Sequence, residues 1–186
     1  MIIGISGTFG SGKDSLANYL VDKYQMMHVS TGDIVREYAI KKYGSIERPI
    51  LKELANELRQ SFGPAAMVDK SFEKYKNNSK KYNGLLISGV RTIGEANKIH
   101  QLGGIMVFVD APIDVRYKRI IQRKRDEEAN VSFEEYKKRE EAELSGGNRD
   151  DVQNLNAVRD ICDLLLINNK TKEDFYETAE KGLKLK

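Results

Sequence analysis

Cysteine is nearly absent from this chain of 186 residues, with Cys162 alone. That excludes an intrachain disulfide framework and fits a reducing compartment, where a lone thiol is a small packed side chain. No metal cluster can be assembled from it. His28 and His100 show no partner pattern and read as structural or surface residues. No apolar run approaches the roughly 20 residues of a membrane span, and the apolar start breaks after a few residues, so it reads as a strand and not as a signal peptide. An excess of one charge is also missing. The 31 basic residues nearly cancel the 28 acidic ones to leave +3, with no basic stripe of the kind that tracks a nucleic acid. Repeats and low-complexity tracts are lacking too. The expectation is a cytoplasmic protein with one substantial core, no nucleic-acid or membrane partner, and basic residues that serve a small anionic ligand.

What is present is concentrated at the start. In MIIGISGTFGSGKDS, residues 1–15, an apolar strand breaks into a glycine-rich turn and then into a helical pattern with Leu16, Ala17, Leu20 and Val21 on one face. From Gly7 through Thr8, Phe9, Gly10, Ser11 and Gly12 to Lys13 the spacing is G-x-x-x-x-G-K. In such a loop the glycines let successive N–H groups turn inward around phosphate, the lysine adds a point charge, and the positive end of the helix faces the anion. The usual pattern then has Ser or Thr, whose hydroxyl ligates magnesium. Here Asp14 follows the lysine and the hydroxyl comes one residue later, at Ser15. A carboxylate also holds magnesium, commonly through water. Asp14 and Ser15 are therefore the candidate metal residues, and ATP with Mg2+ is the expected cofactor pair.

Further strands are expected at 27–30, 85–88, 105–110 and 164–167, the last three as continuous apolar runs buried on both faces. Helical spacing fills the intervals. Leu51, Leu54, Ala55, Leu58 and Phe62 mark one helix; Val68, Phe72 and Tyr75 mark the next, ahead of an exposed loop at 77–83. Thr31 reads as the cap of a helix beginning at Asp33, Thr92 with Glu95 and Ser132 with Glu135 form capping boxes, and Thr171 opens the last helix. The segment 132–144 carries few apolar residues, which predicts weak docking and a mobile lid. Five strands alternating with helices call for an α/β fold with a parallel sheet covered on both faces and ligands at the strands' carboxyl ends.

Lys13, Thr31, Arg36, Arg91, Arg119 and Arg123 follow those ends. Phosphoryl transfer requires two phosphate-bearing partners held in line and their charge neutralised, work suited to a phosphate loop, magnesium and several arginines. Taken singly, Arg36 or Arg123 reads as a solvated surface residue, and Thr31 or Asp33 as a plain cap or first-turn acid. Arg91 is better placed, at a glycine turn just past a buried strand.

With those residues in view, the chain resembles the nucleoside monophosphate kinase group, most closely adenylate kinase and the archaeal adenylate-kinase-like or dephospho-coenzyme-A-kinase-like proteins. Ser30 to Arg36, STGDIVR, resembles S-T-G-D-x-x-R; Gly89-Val90-Arg91-Thr92 resembles D-G-F-P-R-T; Arg119 to Arg123, RIIQR, resembles R-I-x-x-R. The resemblance covers nearly the whole chain. It implies a three-layer P-loop NTPase fold with a helical acceptor-binding insertion at about 31–83 and a short lid at about 124–147. It further implies that Thr31, Asp33, Arg36 and Arg91 bind a nucleotide-like acceptor, while Lys13, Arg91, Arg119 and Arg123 act on the migrating phosphoryl group. Three departures stand out: Asp14 in place of the hydroxyl residue, Ser88 where the group has an aspartate that supports magnesium, and a lid without cysteines.

The expected activity is transfer of the γ-phosphoryl group of ATP to a nucleoside or deoxynucleoside monophosphate. Dephospho-coenzyme A is the rival acceptor, and a nucleotide-dependent regulatory ATPase without a small acceptor is the rival class. A guanine-specific switch is disfavoured because Asn169-Lys170-Thr171-Lys172 lacks the aspartate of N-K-x-D. The expected oligomeric state is monomer or homodimer.

Overall fold

In the computed structural model, residues 1–123, 131–147 and 149–185 are described. The first part of the expected lid, 124–130, lies outside them. Five strands, β1 (Ile2–Gly7), β2 (Met26–Ser30), β3 (Gly84–Ser88), β4 (Ile105–Asp110) and β5 (Leu164–Ile167), form one parallel sheet in the order β2-β3-β1-β4-β5. The α/β, five-stranded parallel architecture is as expected. β1 lies between β3 and β4, and the chain leaves it in opposite directions on its two sides, so its carboxyl end opens at the switch point where ligands bind in such sheets.

Residue alternation along the strands divides the core in two. Ile3, Ile5, Val107, Val109 and Leu166 pack with Leu16, Ala17 and Leu20 of α1 (Lys13–Tyr24) and with Phe175 and Ala179 of α9 (Lys172–Gly182). On the opposite face Leu85, Ile87, Met106 and Phe108 meet α2 (Thr31–Tyr43), α3 (Arg48–Phe62), α4 (Ala66–Lys76), α5 (Ile93–Gln101) and α8 (Leu155–Asp160). Each fully buried Ile, Leu or Phe contributes about 1.5–3 kcal/mol relative to exposure. The stretch expected as an insertion, 31–83, consists of α2, α3, α4 and a 3-10 turn at Ser79–Lys81. Beyond β4 come α6 (Ile113–Arg123) and α7 (Phe133–Leu144). Among the described residues no helix is long and apolar enough to cross a membrane.

The cap hydroxyl of each expected capping box is in place: that of Thr92 accepts from the Glu95 N–H at 3.2 Å, and that of Ser132 from the Glu135 N–H at 3.2 Å, while the Glu95 carboxylate turns to other partners. Thr171 caps α9 in the same way. The carboxyl-terminal halves of α1 and α9 are joined at the surface, where one oxygen of Glu180 accepts from Tyr19 (2.7 Å), Tyr24 (2.6 Å) and Lys23 (2.5 Å).

Four expectations are corrected. Thr31 is not a cap but the first residue of α2, with Ser30 at the cap position. β5 is not buried on both faces: as an edge strand it turns Leu164 and Leu166 to α9 and leaves Leu165 and Ile167 largely exposed. Phe62, the last apolar residue at the helical spacing of α3, does not share the burial of Leu54 and Leu58 but is exposed at the helix end. The segment 132–144 is not weakly docked, because α7 docks through a buried polar network that a count of apolar residues does not register. Arg116, Tyr136 and Glu140 are all buried, Arg116 pairs with Glu140, and the Arg116 guanidinium donates to the Tyr136 hydroxyl at 2.9 Å.

Candidate functional site

The glycine-rich turn, Gly7 to Lys13, sits at the carboxyl end of β1 and is tied down on several sides. The Thr8 hydroxyl donates to Asp110 at the end of β4 (2.7 Å). The Tyr136 hydroxyl donates to the Phe9 carbonyl (2.7 Å), and the two rings lie 6.1 Å apart. Asn168, just past β5, donates from Nδ2 to the Ser11 carbonyl (2.8 Å). Gly12 ends the turn in a left-handed conformation at φ 95°, and a Cβ there would collide with the Asn168 amide. Only glycine fits that position without strain.

The residues present suit a polyphosphate. Among the described residues the Ser11 side-chain oxygen is buried without a hydrogen-bond partner, which is uncommon in native proteins and calls for an explanation that a bound phosphate would supply. Beside it the first-turn N–H groups of α1 have no intrahelical acceptors. Asp14, at the start of α1, is exposed and lies 3.9 Å from the Lys13 ammonium. Among the described residues no three His, Cys, Asp or Glu side chains form a ready-made metal site, so a cation here would take ligands from Asp14, Ser15, water and the phosphates themselves.

Lys13, by contrast, is mostly buried. Burial lowers its pKa, as do Arg91 and Arg123 nearby, while Asp14 and Glu143 oppose the shift. Arg119 and Arg123 project from α6. The Arg119 guanidinium donates to the carbonyls of Ser11 (3.4 Å) and Asn168 (3.1 Å) and to the Asn168 side chain (3.3 Å), so much of its donor capacity is spent on bracing the turn. Burial and the neighbouring Arg123 lower its pKa. Arg119, Arg123, Gln122 and Lys172 line a cavity of about 350 Å³ that opens beside Gly12 and Ser15. Its size matches a small-ligand cleft.

Across the sheet, Arg91 extends from the turn after β3. Its guanidinium meets Gln153 at 3.3 Å and Glu143 of α7 at 3.4 Å. Thr31 donates its hydroxyl to the Gly89 carbonyl (2.7 Å); at Gly89, φ is 80° and a Cβ would lie 2.8 Å from that hydroxyl. Asp33 and Arg36 pair with each other at the mouth of α2, both largely exposed. The structure thus brings Lys13, Arg91, Arg119 and Arg123 around one rim, with Asp14 beside them. Asp33 and Arg36 have no hydrogen bond or ion pair to that group among the described residues.

Both histidines, expected to be structural or surface residues, each meet one side-chain partner. His28 Nε2 lies 2.8 Å from the Ser88 hydroxyl, and burial lowers its pKa against the pull of Asp33 and Asp14. His100 lies 2.9 Å from Asp163, whose same oxygen accepts from the Met106 N–H. Ser88, at the carboxyl end of β3, therefore contacts an imidazole. Sequence reasoning does not single out Asn168, Tyr136, Glu140 or Glu143, and takes Asp110 only as a strand end. Asn168 follows β5 directly, so the rule that ligands gather beyond strand ends could have found it. The three α7 residues carry no comparable signal, because their partners lie far away in sequence.

Comparison with known proteins bears on the fold and the family. The chain is 30% identical over 184 residues to a UPF0200 protein of Sulfurisphaera tokodaii, covering 98% of this chain and 96% of that one. It is 27% identical over 185 residues to the UPF0200/UPF0201 protein of Archaeoglobus fulgidus, but spans only 54% of that protein's length. Among solved structures, TT1252 from Thermus thermophilus superposes with a TM-score of 0.66 at 19% identity, covering all of this chain and 98% of that one. Shikimate kinase from Bacteroides thetaiotaomicron superposes with a TM-score of 0.53 at 13% identity, covering 100% and 99%. These likenesses establish a P-loop kinase-like fold. Residues 3–146 match the AAA domain family, and with a phosphate-type loop at the switch point of a parallel sheet the chain belongs to that family.

Proposed function

We propose that this protein is an ATP- and magnesium-dependent phosphotransferase that delivers the γ-phosphoryl group to a nucleotide-like acceptor. The observation that carries this reading is the gathering of Arg91 and Arg123 around Lys13, close enough to help lower the pKa of its ammonium, at the rim of a phosphate-type loop. Three cations serve two phosphate-bearing partners better than one nucleotide alone. ATP would lie with its phosphates along Gly7 to Ser15 and its nucleoside toward the cavity beside Arg119. Asp14 and Ser15 would hold magnesium, which would supply further neutralisation of phosphate charge. Lys13 would cradle the transferring group, Arg123 would neutralise charge from the lid side, and Arg119 would keep the loop in shape. Arg91 would take the acceptor's phosphate, with Thr31, Asp33 and Arg36 at the mouth of α2 bounding its nucleoside. In this reading 31–83 is the acceptor-binding insertion and 124–147 the lid, in a cytoplasmic monomer or homodimer.

Incubation with ATP, magnesium and a panel of nucleoside and deoxynucleoside monophosphates plus dephospho-coenzyme A tests the proposal. Transfer to one of them supports it; acceptor-independent phosphate release alone contradicts it. The second reading, a regulatory ATPase, draws support from the Arg91–Glu143 pair, since a carboxylate already sits against the arginine assigned to the acceptor.

A further inference from the structure

Arg59 and Glu95 form a buried ion pair that the proposed chemistry does not use. Arg59 belongs to α3 in the insertion and is 8% exposed; Glu95 belongs to α5 against the sheet and is fully buried. Both oxygens of Glu95 are engaged. Oε1 accepts from Arg59 Nε (3.3 Å) and Nη2 (3.1 Å), and Oε2 accepts from the backbone N–H of Arg91 (2.8 Å). The carbonyl of Arg91 accepts in turn from the Asn154 N–H at 3.0 Å. The main chain of Arg91 is therefore gripped at both of its polar groups, and one grip is a carboxylate whose other oxygen is held from the insertion.

A buried ion pair is a poor way to gain stability, because desolvation of both charges offsets much of their attraction. Leucine and methionine at these positions would staple α3 to α5 at least as well. What apolar side chains would not supply is an acceptor for the Arg91 N–H in a turn that already contains left-handed Gly89. We propose that Arg59 is a positioning residue: through Glu95 it fixes the main chain of Arg91, so that the placement of the insertion sets the aim of the acceptor arginine. The proposal rests on Arg91 as the acceptor's anion ligand, but the backbone link itself does not.

The test uses the full chain and two readouts. Arg59→Met strands a buried carboxylate, so it is compared with Arg59→Met/Glu95→Gln, which removes both charges, and with Arg59→Lys, which keeps the charge but not the paired donors. Amide hydrogen exchange in the ligand-free protein reads the backbone link. Exchange at Arg91 is expected to accelerate at least tenfold relative to Ile87 in the double variant, with Arg59→Lys between it and wild type. Kinetics with ATP and AMP, and separately with ATP and dephospho-coenzyme A, read the consequence: acceptor KM rises about tenfold while ATP KM stays within twofold. Variants that melt at lower temperature yet keep wild-type Arg91 exchange and wild-type acceptor KM would reduce the pair to a structural staple and overturn the proposal. Accelerated exchange in a protein that transfers phosphate to no acceptor would uphold the backbone link and sink the kinase reading instead.

Discussion

The hydroxyl of Tyr136, on α7, donates to the carbonyl of Phe9 in the phosphate-type loop at 2.7 Å while accepting from the guanidinium of Arg116 on α6. One phenol thus joins the two helices that follow β4 to the turn that follows β1. Tyr136→Phe keeps the ring and removes both bonds. It is expected to cost about 1–3 kcal/mol by chemical denaturation, since a buried guanidinium and a carbonyl each lose a partner. Burial pushes the Tyr136 phenol up to about 12. The folded state holds this proton more tightly than the unfolded one, so the contribution is constant below pH 10 and declines as pH rises from 10 toward 12. A pH series of melting curves should show that decline reduced in the Phe variant.

Lys13 carries the next prediction. Its ammonium is held below the ordinary lysine range by burial and by Arg91 and Arg123, so its charge is lost on the alkaline side before that of a surface lysine. Transfer should therefore fall along an alkaline limb lying below pH 10.5, read from the pH profile of kcat/KM for ATP. Lys13→Ala should reduce kcat at least a thousandfold; rates near wild type would remove this lysine from the reaction.

Glu143 pairs with the Arg91 guanidinium at 3.4 Å. Glu143→Gln should lower the acceptor KM two- to fivefold, most clearly at low ionic strength, because an exposed pair of this kind is worth about 0.2–1 kcal/mol and is screened by salt. Arg91→Ala should raise the acceptor KM at least tenfold and leave ATP binding, measured by calorimetry, nearly unchanged.

At Gly12 a methyl group meets both an unfavourable φ and the Asn168 amide. Gly12→Ala should cost about 1–3 kcal/mol of stability and weaken nucleotide binding at least tenfold. Gly103→Ala is the control, since it shares a positive φ but has open space around its Cβ; it should destabilise without affecting nucleotide binding.

Three donors on one oxygen of Glu180 lower its pKa to about 2, the Lys23 hydrogen bond first among them. A carboxylate depressed in the folded state stabilises above its unfolded value and loses that contribution as pH falls from about 4.5 toward 2. Glu180→Gln should lower the melting temperature at neutral pH and flatten its dependence across that acid range, so that the two proteins converge toward pH 2.

Much of the fold is legible in the amino-acid sequence, for identifiable reasons. Strands buried on both faces, such as β3 and β4, carry continuous apolar runs, and Gly7 to Lys13 is a local spacing that a single sequence exposes in full. Capping chemistry is legible at Thr92, Ser132 and Thr171 because donor and acceptor lie within one turn. Contacts between distant segments are not. Thr31 reads as a cap because its hydroxyl suits one, yet its partner is Gly89, and the Ser88 that His28 contacts is 60 residues away. Arg116 sits in a run of basic residues, and nothing in that run shows that Glu140 and Tyr136 draw it inside. Glu95 is visible as half of a capping box, but nothing local announces Arg59.

The ties on the glycine-rich turn carry a thermodynamic consequence. Thr8 is fastened to β4, Phe9 to α7 and Ser11 to the residue after β5, three of four consecutive residues secured without any ligand. Ordering a loop costs about 1–2 kcal/mol per residue in backbone entropy. Here that cost is met during folding, so a nucleotide arriving at Gly12 and Lys13 spends little of its interaction energy on disciplining the chain that receives it.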